Sequence, residues 1–226
     1  MFKKTNIESF GKEILSLEQV KLPAYEGSIP RVLIELKKRL NQCDGFQKGS
    51  YASQFYLFII IFFINVHKKK HIFHSTMKND GSQAAIIGLL LKQWFMQLPN
   101  PFLSCVEIKI IDMATSVELM PTVSAKFPEP HKSVLLWLWD LLADVLLIAS
   151  FFLFVLHHSI FSVVVELRQF NEMTTQHLAQ GFGPLMTHLT ERDVKGPRAT
   201  KNAMFASRVI TFFKRGIEWR LSLREL

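Results

Sequence analysis

Two cysteines in 226 residues leave little scope for covalent cross-linking. Cys43 and Cys105 form neither a metal-ligand pair nor a disulfide framework, so a reducing, cytoplasmic setting is the default. The opening stretch MFKKTNIESFGKEI lacks an apolar core long enough for a secretory signal. Missing too are a Ser/His/Asp order, a cluster with metal-ligand spacing and a glycine-rich phosphate loop placed after a strand. Gly181-Phe182-Gly183 is no exception, because it follows a helical pattern. An enzyme with its own active site is therefore the weakest reading, and no metal or cofactor is expected. Arginine is absent from the whole interval between Arg39 and Arg168.

Apolar residues are abundant instead. They make up 49% of the chain, phenylalanine alone occurs 20 times, and the mean hydropathy is +0.18, high for a purely soluble protein. Two blocks account for much of this. Phe55 to Val66 is a run of twelve apolar or near-apolar residues followed by His67-Lys68-Lys69-Lys70-His71. It is too short to span a bilayer as a helix, which needs about 20 residues, and suits a buried element or an interfacial anchor. Leu146 to Val164, extended by Val145 and Val165, is long enough to span, although His157 and His158 sit near its middle.

The net charge is +8, and the segment from Arg192 to Leu226 holds nine Lys/Arg against Asp193, Glu218 and Glu225. A basic face of this kind attracts an anionic membrane surface or an acidic partner, or is simply a solvated helix face, the commoner case. No nucleic acid is expected, since no binding motif accompanies the charge.

Periodicity predicts helices near 30–42, 84–98, 132–146, 175–183 and 200–222, an all-α pattern. Val32, Leu33, Leu36 and Leu40 share a face of the first, with Pro30 expected in its opening turn. Leu90, Trp94 and Leu98, flanked by Leu91 and Phe95, mark the second, which Pro99 stops. Val134, Leu138, Leu141 and Val145, broadened by Leu135 and Leu142, form the stripe of the third. Its Asp140 and Asp144 have no His or Cys in register and are expected to face solvent. Thr174 or Thr175 caps the fourth, and Gly183-Pro184 ends it. Ala206, Ile210, Phe213, Ile217 and Leu221 align on the last, with Arg208, Lys214, Arg215 and Arg224 elsewhere. One short helix is expected between Cys105 and Phe127.

LLLKQWFMQLPNPFLS, residues 89–104, resembles the central motif of the Rho GTPase-activating (RhoGAP) domain family. Three further strings fit the same family in the same order. IPRVLIELKKRLNQCDGFQKGSY resembles its first helix and the loop after it; FPEPHKSVLLWLWDLLADV and NEMTTQHLAQGFGPLM resemble two later helices. The resemblance covers roughly 27–220 without the two apolar blocks. It implies a RhoGAP-like multi-helix bundle over 27–226 after a loosely packed leader, 1–26, interrupted by apolar segments at about 53–81 and 146–164 that are not native to the fold. Removing 146–164 joins WLWDLLADV to VELRQFNEM and improves the match.

The implied function is regulation of a GTP-bound Rho-type small GTPase, in which an arginine finger enters the GTPase active site. At that position, after Gly49-Ser50-Tyr51, this chain has Ala52. Alanine has neither charge nor donor, and a supplied arginine is worth roughly 10³–10⁵ in rate. Met96 stands in place of the arginine that steadies the finger loop, His177 in place of an asparagine, and Leu185 in place of a polar residue facing the GTPase. Lys92 is the retained lysine that contacts the GTPase or supports the finger loop. Impaired catalytic stimulation follows as an expectation. The alternatives are a non-catalytic GTPase-binding module and a membrane-inserted protein.

Overall fold

The computed structural model describes residues 9–43, 81–159, 174–189 and 199–224. Within them the architecture is a helical bundle with one two-stranded ribbon. A 3-10 turn at Ile14–Ser16 precedes β1 (Gln19–Lys21) and β2 (Ser28–Pro30), which pair antiparallel with Val20 opposite Ile29. Helix α1 (Arg31–Cys43) follows, then α2 (Gly81–Met96), a 3-10 turn at Phe102–Cys105, α3 (Ile108–Asp112) and α4 (Met120–Ser124). The long α5 (His131–Ser159), α6 (Thr175–Phe182), a 3-10 turn at Gly183–Thr187 and α7 (Ala199–Ser222) complete it.

The expected helical faces are the buried ones. Val32, Leu33, Leu36 and Leu40 of α1 are in the core, as are Leu91, Trp94, Phe95 and Leu98 at the end of α2. Helix α5 buries more than its predicted stripe, because Trp137 and Trp139 are also enclosed. A helix that is apolar on every side belongs at the centre of a bundle rather than on its surface. Trp139 meets Phe212 edge-on at 5.2 Å and Phe213 at 6.2 Å, so the centre of the α7 stripe lies at Val209, Phe212, Phe213 and Ile217. Ala206, Ile210 and Leu221 sit at its half-buried edges.

Several expectations are corrected. The leader is not loosely packed: Ile14, Leu17 and Tyr25 belong to the core cluster. Pro30 ends β2 instead of opening α1, whose first residue, Arg31, donates its backbone N–H to the Glu18 carbonyl at 2.8 Å. Two short helices, not one, lie between Cys105 and Phe127. Leu146, the first residue of the second apolar block, packs in the core and continues α5 without a break. Among the described residues no helix is long and apolar enough to cross a membrane, so the expected membrane segment has no support. Residues 53–80 and 160–164 of the two blocks lie outside the described residues.

The largest correction concerns Asp140, which faces the interior, while Asp144 stays partly exposed but ion-paired. Asp140 is only 8% exposed. Its carboxylate accepts a hydrogen bond from the Tyr25 hydroxyl at 2.8 Å and a two-point grip from Arg220, at 2.7 and 2.8 Å. Arg224 reaches both Asp140, at 3.2 Å, and Asp144, at 3.0 Å, and Lys37 of α1 holds the other Asp144 oxygen at 3.0 Å. Two basic residues of the C-terminal segment are thus consumed inside the protein. Arg208 pairs with Asp112, Lys214 with Glu218, and Arg215 donates to the Ala114 carbonyl. Docking of this segment on an anionic membrane gains no support, because among the described residues Arg208, Lys214, Arg215, Arg220 and Arg224 already have protein partners.

Two substitutions test this packing. A Cβ at Gly216 would lie 2.2 Å from the Trp139 indole, so Gly216 sets how closely α7 approaches α5. Alanine normally favours a helix interior by up to about 1 kcal/mol over glycine. Here Gly216→Ala is expected to destabilise by about 1–3 kcal/mol, the cost of overpacking, as read by urea unfolding. Asp140→Ala strands Arg220 and Tyr25 and is expected to cost about 3–5 kcal/mol. The same unfolding measurement decides; a loss below 1 kcal/mol would mean the network behaves like an exposed ion pair.

Candidate functional site

The site expected from the sequence gathers at the C-terminal end of α2. Trp94 and Phe95 are fully buried there, and Phe95 stands edge-on to Trp94 at 4.9 Å and to Phe102 at 5.5 Å. These rings fix the rotation of the last α2 turns and so decide where Lys92 and Met96, one turn apart, point. Lys92 is 6% exposed. Its ammonium lies 5.7 Å from the centre of the Phe182 ring, at the end of α6, within cation–π range. Met96 is 56% exposed. One position is therefore turned into the α2–α6 junction and the next out of it.

Immediately after Phe182 the chain enters the 3-10 turn Gly183–Thr187, which carries Leu185 and packs against α2, α6 and α7. Gly183 permits that packing, since a Cβ there would meet Ile210 of α7 at 3.3 Å. The Thr187 hydroxyl donates to the Pro184 carbonyl at 2.8 Å, bracing the turn from within. Leu185 is half-buried and packed against the core. His188, which the sequence did not single out, follows at φ 53° and reaches the Phe95 carbonyl at 3.1 Å. No local pattern announces such a contact across 93 positions.

His177 is not brought to this junction. It lies on the first turn of the eight-residue α6, whereas Phe182 closes that helix. Thr174, rather than Thr175, is the cap: its hydroxyl accepts from the His177 backbone N–H at 3.3 Å, and His177 Nδ1 accepts from the Thr174 N–H at 3.4 Å. This reciprocal pair is a capping box with histidine in the place usually held by Glu or Gln. Thr175 instead donates to Glu218 of α7 at 3.1 Å. Ala52 and the Gly49-Ser50-Tyr51 approach lie outside the described residues.

Burial pushes the Lys92 ammonium down to about 8. A lysine in that state is still mainly charged at neutral pH, and keeping the charge out of water weakens the fold. The bundle thus places a desolvated cation beside an aromatic ring, one helical turn before an exposed apolar side chain.

The fold is that of a predominantly helical domain. The family model described as RhoGAP domain matches residues 64–191, more than half of the chain, and the chain belongs to that family. The match begins downstream of Ala52. Rho GTPase-activating protein gacG of Dictyostelium discoideum is 28% identical over 147 residues, 64% of this chain. The chain spans 11% of the length of that relative.

The lysine yields a signed prediction. Its folded value of about 8 lies below the 10.5 of an unburied lysine, so between those values the unfolded chain binds more protons and stability rises with pH. Below that window the cost is fully present, on the order of 3 kcal/mol. Lys92→Met is therefore expected to stabilise the domain by about 1–3 kcal/mol at pH 7. The advantage should shrink as the pH is raised through the same window, as measured by urea unfolding at pH 7 and pH 10. An advantage independent of pH would show that the ammonium is not desolvated in the folded state.

Proposed function

We propose that this chain binds a GTP-bound Rho-type small GTPase and stimulates its hydrolysis only weakly. The observation that carries the reading is Lys92, retained at the family's motif position and held against Phe182 beside the turn that carries Leu185. Its burial favours the supporting role over direct contact. Met96, exposed one turn further on, and Leu185 supply the apolar part of the contact surface, and His177 its margin at the other end of α6.

The weakness follows from chemistry. Phosphoryl transfer to water develops charge on the transferring group, and a preorganised donor must meet it there. Ala52 offers none, and Met96 has no group that could hydrogen-bond a finger loop. Binding depends on area and shape and survives these losses; rate acceleration does not. A binding module with no stimulation at all is the limit of the same reading, and the substitution at Ala52 is what favours it.

Single-turnover hydrolysis by a GTP-loaded Rho-type GTPase, measured beside equilibrium binding, tests this. We expect binding that prefers the GTP state and a stimulation less than about one hundredth of that of a finger-bearing domain. Ala52→Arg alone should recover little, and Ala52→Arg with Met96→Arg more, because a guanidinium acts only when held within hydrogen-bonding distance of the developing charge. Full stimulation by the unaltered chain would overturn the reading, as would the absence of any GTP-state binding.

A further inference from the structure

We propose that His188 is a positioning residue for the GTPase-binding surface: its side chain ties the turn bearing Leu185 to the helix end bearing Met96. The inference rests on the preceding functional reading. Phe95 is in the last turn of α2, where backbone carbonyls lack partners within the helix. Its carbonyl can only accept, so His188 Nε2, at 3.1 Å, carries the proton and donates. Met96 is the residue after Phe95, and Leu185 is three residues before His188. One hydrogen bond therefore joins two segments far apart in sequence at the place where both should meet a partner.

The backbone supports the assignment. Among the described residues, His188 is the one non-glycine residue with positive φ. That left-handed conformation suits glycine or asparagine better than a larger side chain. A residue kept only for the turn would be one of those two; histidine adds the reach to Phe95. Apolar packing seats the turn against α2, α6 and α7, but such packing is non-directional. The hydrogen bonds within the turn, Thr187 on Pro184 and the Leu189 N–H on the Thr187 hydroxyl at 3.4 Å, do not reach α2, whereas the one from His188 does.

The side chains separate the two roles. His188→Gln keeps an N–H donor at about the depth of Nε2, whereas His188→Asn keeps the left-handed preference but falls short of the Phe95 carbonyl. His188→Ala removes the donor. Binding is measured to a Rho-type GTPase loaded with a non-hydrolysable GTP analogue, with the unfolding midpoint of each variant alongside. We expect about tenfold weaker binding for His188→Ala and His188→Asn, the loss of one hydrogen bond's worth of positioning, and near-normal binding for His188→Gln. Equal weakening in Gln and Ala variants, rescue by Asn, or unchanged binding in all three would overturn the proposal. If the unaltered chain binds no such GTPase, the functional reading fails separately. The tie itself is then judged by amide hydrogen exchange over residues 183–189. Faster exchange in the Ala and Asn variants but not in the Gln variant upholds it, and no change refutes it.

Discussion

A carboxylate withdrawn from water needs donors on its open lone pairs and a counter-charge nearby. Asp140 obtains them from segments far apart in the chain: Tyr25 from the N-terminal segment, Arg220 from the last helix and Arg224 from the turn after it. Because Asp140 sits about a third of the way along the central helix α5, these contacts constrain the depth and rotation of the elements packed around it. Asp144, one turn on, extends the tie to α1 through Lys37. Apolar packing alone would leave α7 free to slide along α5; the two-point Arg220 contact and the close approach at Gly216 allow one register. Burial and hydrogen bonding with Asp140 also raise the Tyr25 hydroxyl well above its usual range, so that it remains a donor.

That register has consequences at the other side of the bundle. Helix α7 packs on α6 and on the turn after it, and Gly183 lies against Ile210. The position of Phe182, and through it the environment of Lys92, therefore depends on the same α5–α7 alignment that Asp140 enforces. The two polar features differ in sign. The Asp140 carboxylate is held by Tyr25, Arg220 and Arg224, whereas the desolvation of Lys92 weakens the fold.

Much of this was legible in the sequence. Apolar spacing located the five main helices, because burial selects the side chains on one helical face and leaves a period of 3.6. The motif around Lys92 was legible for a different reason: consecutive residues on one helix carry both the packing ring, Phe95, and the site lysine. Asp140 was misread and Asp144 only partly, since aspartates spaced four apart on a helix look the same whether water or Arg220 and Arg224 faces them. The expectation for the leader failed similarly. Ile14, Leu17 and Tyr25 show no strong period, and their burial depends on a ribbon and on partners more than a hundred residues away.

The sequence by itself determined the helices, the family pattern and the residue types at the positions the resemblance marks, Ala52, Met96, His177 and Leu185. Each of these is a statement about nearest neighbours along the chain or about side-chain chemistry, and neither needs the fold. Only the tertiary structure decided that Lys92 is enclosed while Met96 is exposed, that His177 caps a helix, and that His188 reaches Phe95. Those facts depend on the rotation of α2 against α6 and on the backbone bend after Gly183. Both are set by long-range packing, for which a linear string holds no local signal.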